Sequence, residues 1–263
     1  MQDTEKCEKY EFAPIWCEIL KIYDVVRDIC ERHQLNYYAA FGTLIGAVRH
    51  SGFIPWDDDF DLWMPRSDYT CFMRFAQKEM PNKLVWQSVE TDKSYHYLFG
   101  KVRLADEERV SVVSRMCHLS LKQGIYIDIF PLDGLPSGNI GRFFWCVKRG
   151  LFRRGLSKWF CGIPVGRAKN HYLKFSEWYA SRRYEDSKFV GGVSGYSDAK
   201  MSHRWCFPKE WFSSSEEVPF EDRKVRIPVG AKKILTAIYG DYMQLPPEAA
   251  RVPSHQVLES RLP

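Results

Sequence analysis

Apolar side chains at Ile15, Ile19, Ile22, Val26 and Ile29, with charged residues between them, keep the spacing of one helix face and predict an amphipathic helix over 15–34. The pattern then shortens. "NYYAAF" (36–41) predicts a buried strand, and "GTLIGAVRH" (42–50) a turn opening a second helix, with Thr43 as a possible cap. "DFDLWM" (59–64) alternates, which predicts a strand with Phe60, Leu62 and Met64 toward the core and Asp59 and Asp61 together on the other face. A helix follows from about Ser67 to Lys78, and strands are predicted at 84–90, 97–104, 108–114 and 124–132. Alternating helices and strands of this kind predict a mixed α/β or α+β core. After the turn signal "DGLPSGN" (133–139) the chain becomes basic and aromatic, and near its end "EVPFEDRKVRIP" reads as a hairpin and "GAKKILTAIYG" (230–240) as a closing helix. These changes divide the chain into a core of 1–135, a basic helical insertion of 136–185 and a C-terminal part of 186–263 that packs on the core.

Composition narrows the class. With 263 residues, 45% of them hydrophobic and 15% aromatic, the chain can bury a large core and is globular, not disordered. Its first residues, "MQDTEKCEKYEF", are charged, and no run of about 18 apolar residues occurs, so a cytoplasmic protein without a membrane span is expected. Eight cysteines show neither a CxxC pair nor ligand spacing with histidine, which favours ordinary core thiols over a disulfide frame or a zinc site. Net charge is +5, yet between Arg142 and Arg183 eleven Lys or Arg face a single acid, Glu177. Interleaved with Phe143, Phe144, Trp145, Leu151, Phe152, Trp159 and Phe160, they suit either an interfacial helix on anionic lipid at the inner face of the cell membrane or a solvated helix covering the core. No nucleic-acid motif accompanies this charge, so a nucleic acid is not an expected partner.

Candidate chemistry lies in "GFIPWDDDFDLWM" (52–64), where four aspartates fall within five positions beside large apolar residues. Two carboxylates about 6 to 7 Å apart at an effective dielectric near 20 repel by roughly 2 to 3 kcal/mol, so a cation is expected among them. Residues two apart on a strand are separated by about 6.6 Å, which lets Asp59 and Asp61 bracket divalent ions. Asp57 can join them, and Asp58 is expected to point away. A solvated acidic loop is the bland alternative, disfavoured by the apolar alternation. A calcium loop fails, because Leu62 and Asp68 stand where that loop needs glycine and glutamate. Before the acids, Gly42 and Thr43 lie between a strand and a helix start, where backbone N–H groups favour a phosphate.

The stretch "FGTLIGAVRHSGFIPWDDDFDLWMPRSDY" resembles the signature of the LicD family, and "GIYIDIFPLDGLP" (124–136) and "VRIPVGAKKILTAIYGDYMQLPP" (225–247) are similar to its later blocks in the same order. This resemblance implies a nucleotidyltransferase-like core sheet flanked by helices. It also implies metal-dependent transfer of a phospho-alcohol, typically phosphocholine from CDP-choline, to a hydroxyl of a cell-surface glycan or its lipid-linked precursor, with release of CMP. Mg²⁺ or Mn²⁺ is the implied cofactor, held by Asp57, Asp59, Asp61 and a third-strand carboxylate, for which Asp128 is the candidate. Asp59, Asp61 and Asp128 are then the catalytic set, with Asp128 a weaker candidate for taking the acceptor's proton, while Asp133 is expected in the following turn in a structural role. Gly42, Thr43, Arg49, His50, Lys101 and Arg103 are the candidates for holding the donor's diphosphate. Trp56 is expected to pack beneath the acidic loop, and His255 carries little weight. A metal-dependent glycosyltransferase using Asp-x-Asp, and a non-catalytic glycan-binding relative, are the alternatives.

Overall fold

In the computed structural model, residues 12–92, 95, 97–105, 124–141, 143–145, 147, 170, 174, 177–178, 186–192 and 205–252 are described. Helix α1 (Ala13–Arg32) carries Pro14 in its first turn, where the missing N–H has no intrahelical partner to lose. Its apolar stripe, Trp16, Ile19, Tyr23, Val26 and Cys30 among it, is buried. The chain turns at Gln34, in the left-handed region with φ 55°, into β1 (Tyr38–Ala39). Helix α2 (Phe41–Ile45) runs into a π-helical turn, Gly46–His50, and a loop then leads to β2 (Asp61–Pro65). Helix α3 (Arg66–Glu79), β3 (Leu84–Gln87) and β4 (Gly100–Leu104) follow, and β5 (Tyr126–Leu135) returns to lie parallel to β2.

The sheet order is β1-β2-β5-β4-β3, with the far end of β5 also pairing β6 (Phe189–Gly191), which in turn pairs β7 (Phe207–Pro208). Strands β8 (Ser215–Phe220) and β9 (Arg223–Pro228) form a separate hairpin, followed by α4 (Ala231–Tyr239). Helices α1 and α3 cover one sheet face: Tyr23 meets Phe60 at 5.0 Å between ring centroids, and Tyr69 and Phe72 both meet Trp86 edge-on. On the opposite face Trp63 is enclosed by Phe41, Phe207 and Phe212. A mixed α+β fold with a sheet flanked by helices is therefore what the chain adopts, and among the described residues no helix is long and apolar enough to cross a membrane.

Several local expectations are corrected. Strand β2 begins at Asp61, so Asp59 lies in the preceding loop, and β2 is buried on both faces because Trp63 is covered as fully as Leu62 and Met64. Thr43 caps nothing: Ala40 occupies the cap position of α2, and no side chain bonds there. Strand β5 continues through the stretch read as a turn, so Asp133 is inside a strand, where it pairs with Gly191. Its buried carboxylate takes two hydrogen bonds from Arg66, at 2.7 and 2.9 Å. The strand expected at 108–114, most of 142–183 and His255 lie outside the described residues.

Candidate active site

Residues opposite one another in neighbouring strands project to the same sheet face. Asp61 is opposite Asp128, Asp128 opposite Lys101, and Lys101 opposite Gln87, so four polar side chains form a row across β2, β5, β4 and β3. Adjacent strands lie about 4.8 Å apart, which places the carboxylates of Asp61 and Asp128 side by side. The Asp128 N–H donates to the Phe60 carbonyl at 3.0 Å, which draws the acidic loop against β5. In that loop Asp57, Asp58 and Asp59 each bring a carboxylate oxygen within 4.8 Å of the others. Asp58 thus joins its neighbours instead of pointing away, because alternation applies to strands and this segment is not one.

Separate parts of the chain fix these acids. The indole N–H of Trp16 in α1 donates to the Asp57 carbonyl at 2.9 Å, and the Asp59 N–H donates to Asp57 Oδ1 at 3.2 Å. Thr43 is buried, and its hydroxyl accepts from the Asp61 N–H at 2.8 Å and donates weakly to the Asp59 carbonyl at 3.5 Å. That hydroxyl therefore positions the acidic strand. Gly42 matters for a different reason: a Cβ there would sit 2.4 Å from Asp57 Oδ2, so only glycine lets the turn approach the carboxylate. Just before it, Phe41 has φ 43°, a strained conformation for a side-chain-bearing residue, held by edge contacts with Trp63, Phe130 and Trp205.

Charge in the row is unbalanced. Lys101 Nζ lies 2.6 Å from Asp128 Oδ1, both buried, and the ammonium also sits 3.4 Å from the centre of the Tyr126 ring, with Tyr97 and Phe99 beyond. One ammonium thus faces several carboxylates. Burial, followed by the charges of Asp59, Asp128 and Asp57, holds the Asp61 carboxyl well above the usual carboxylate range, with Lys101 opposing. Burial first, then Asp59 and Asp128, likewise pushes the Tyr126 hydroxyl up. An all-oxygen set of crowded, partly desolvated carboxylates is the donor set that hard divalent cations such as Mg²⁺ or Mn²⁺ take, so these residues fit such an ion.

The other candidates are placed as follows. Arg49 donates through Nε to His50 Nε2 at 2.9 Å and through Nη1 to the Tyr242 carbonyl at 2.6 Å, which ties the π-helical turn to the segment after α4. Desolvation, then Arg49, lowers the pKa of His50. Arg103 shares the sheet face of Lys101, but its Nη1 bonds the Leu104 carbonyl at 2.9 Å and its opposing strand residue is Tyr126. Trp56 packs on the core, edge-on to His50 and under Arg251. Sequence reasoning turned Asp58 away from its neighbours and missed Trp16 and Tyr126. Of those two only Tyr126 carried a signal, since it lies two residues before Asp128 on the same strand face.

Residues 34–143, which contain the whole acidic row and Lys101, match the family described as LicD/FKTN/FKRP, nucleotidyltransferase domain. The chain is 30% identical to the lipopolysaccharide cholinephosphotransferase LicD of Haemophilus influenzae over 256 residues, spanning 90% of this chain and 92% of that protein. It is also 36% identical over 67 residues to an uncharacterised protein of Rickettsia prowazekii and 38% identical over 58 residues to one of Rickettsia typhi, covering 24% and 21% of this chain and 24% and 19% of those proteins. Likeness across nine-tenths of two chains, with the crowded carboxylates inside the matched domain, means that this chain belongs to the LicD family and is a transferase enzyme.

Proposed function

We propose that the chain transfers phosphocholine from CDP-choline to a hydroxyl of lipopolysaccharide or its lipid-linked precursor, releasing CMP. What supports this reading is the near full-length similarity to a lipopolysaccharide cholinephosphotransferase, with Asp57, Asp59, Asp61 and Asp128 all inside the matched domain. The acceptor oxygen attacks the choline-bearing phosphorus, a new P–O bond forms, and the bond to the CMP phosphate breaks. Asp57, Asp59, Asp61 and Asp128, joined by Asp58, would hold Mg²⁺ or Mn²⁺. When bound, the ion neutralises the diphosphate and acidifies the acceptor hydroxyl.

The protein's own groups do the rest. The donor's diphosphate is assigned to the turn at Gly42 and Thr43, where main-chain N–H groups can meet it once a cation offsets the nearby Asp57 carboxylate, with Arg49 and His50 flanking it. Thr43 and Lys101 act through the carboxylates they hold: Lys101 fixes the Asp128 carboxylate that takes the acceptor proton, and Thr43 fixes the Asp61 main chain. Arg103, beyond Tyr126 on the same face, is the outermost group of the donor site. Incubating the protein with CDP-choline, Mg²⁺ and choline-free lipopolysaccharide should release CMP and label the acceptor. Release of a nucleoside diphosphate from a nucleotide sugar instead, or no CMP with any CDP-alcohol, would overturn the reading.

A further inference from the structure

Immediately after β5 the chain turns helical at 139–141, 143–145 and 147. Trp145 anchors this segment, buried against Leu135 together with Leu98, Phe189 and Cys206. Among the described residues its other face is uncovered. Ile140 is 76% exposed, Phe143 64%, Phe144 65% and Val147 44%, and their numbers are those of a single helix stripe at i, i+3, i+4 and i+7. Single exposed apolar residues are ordinary, but an aligned group of four including two phenylalanines marks a surface that meets something apolar.

The surrounding sequence says which apolar partner fits. Arg142 directly precedes Phe143 in sequence, and Lys148 and Arg149 directly follow Val147, so three cations stand within two residues of these apolar positions by chain connectivity alone. Onward to Arg183 the chain adds eight more cations against Glu177. The net charge of the whole chain is only +5, so the sequence outside 142–183 is acidic, and a negative surface is attracted to the stretch of chain that carries the stripe. A second copy of the chain meeting this stripe through its own would bring like-charged flanks together and is disfavoured.

We infer that the Ile140, Phe143, Phe144 and Val147 face is a membrane-docking surface that inserts its rings among the headgroups of an anionic lipid bilayer. From Asp128 to Leu135 is seven residues of β5, roughly 23 Å, so this surface lies apart from the acidic row and the inference stands independently of the reaction proposed above.

Flotation of the full chain with vesicles of equal phosphatidylglycerol and phosphatidylcholine tests it. Co-flotation is expected at about 0.05 M salt and should weaken near 0.5 M, as screening shortens the reach of the cations. Phosphatidylcholine alone should hold little protein. Phe143→Asp with Phe144→Asp should reduce the bound fraction about tenfold or more, because two rings no longer leave water. Ile140→Asp alone, at the most exposed position, should reduce it in part and serves if the double variant melts lower than the parent. No flotation with the anionic vesicles, equal flotation of parent and variants, or a dimer in sedimentation that the variants dissolve while vesicles bind neither, would overturn the inference.

Discussion

Asp61→Asn removes one negative charge from the row while keeping the side chain's shape. Asp61 stands about 4.8 Å across the sheet from Asp128 and two residues from Asp59, and each like-charge pair near 6 Å at an effective dielectric of about 20 costs roughly 2 to 3 kcal/mol. Lys101 offsets about one such pair, which leaves relief on the order of 2 kcal/mol when the charge is removed. For a chain of this size that corresponds to a rise in melting temperature of about 4 to 8 °C. The sign depends on pH. A carboxyl whose folded pKa is raised binds its proton more tightly in the folded state, so its stabilising contribution is present at low pH and is lost as pH rises from the unfolded value near 3.9 through the folded one. The advantage of the asparagine variant should therefore be small at pH 5 and largest above pH 7. Differential scanning fluorimetry without divalent ions measures it. A second arm adds 10 mM Mg²⁺, about 10 mM being ample for a millimolar site, and should raise the parent's melting temperature more than the variant's. CMP release should fall by at least about a hundredfold. A variant that melts at or below the parent at pH 8 without metal, or that gains as much from Mg²⁺, would refute the electrostatic account.

Gly42→Ala puts a methyl group 2.4 Å from Asp57 Oδ2 and should cut CMP release about tenfold or more through the displaced carboxylate, with little change in melting; normal turnover would show that the close approach is unimportant. Lys101→Met removes the ammonium from a buried ion pair, a loss of roughly 3 to 5 kcal/mol, so the melting temperature should drop by about 6 °C or more, opposite in sign to Asp61→Asn. His50, with its pKa lowered, stays neutral in the fold, so stability should decline as pH falls below about 6.5, where the unfolded chain takes up the proton more readily. His50→Gln should flatten that slope in a melting series from pH 7.5 to 5, and an unchanged slope would remove His50 as its source.

The period of the apolar residues made α1, α3, α4 and the β8–β9 hairpin legible, because each has one face packed on a neighbour and a spacing that admits one conformation. Alternation misled at Asp59. A strand rule applied to 57–60 separated Asp58 from its neighbours, whereas the loop conformation brings all three carboxylates together. The end of β5 was hidden for another reason: Asp-Gly-Leu-Pro carries turn chemistry, but Arg66, distant in sequence, supplies the partner that lets Asp133 enter a buried strand. Lys101 opposite Asp128, and Trp16 beneath Asp57, arise from sheet register and helix docking, neither of which leaves a mark in local spacing. Thr43 was visible as a polar residue beside a glycine, but its role as acceptor for the Asp61 N–H needed the strand's position.

The ties on the acidic loop come from helix α1, the turn at 42–43 and strand β5, which are held in place by the fold as a whole and not by the carboxylates themselves. Mutual repulsion would otherwise spread the loop until its charges reached water. Because the main chain of Asp57 and Asp61 is bonded to uncharged groups of α1 and of the turn at 42–43, the loop is held against spreading, and the repulsion of Asp59, Asp128 and Asp57 adds to burial in raising the proton affinity of Asp61. A bound cation releases the same stored free energy that a proton does, so metal affinity, proton affinity and folding stability are linked at this one residue. Loosening any tie should therefore lower the proton affinity of Asp61 and weaken metal binding together.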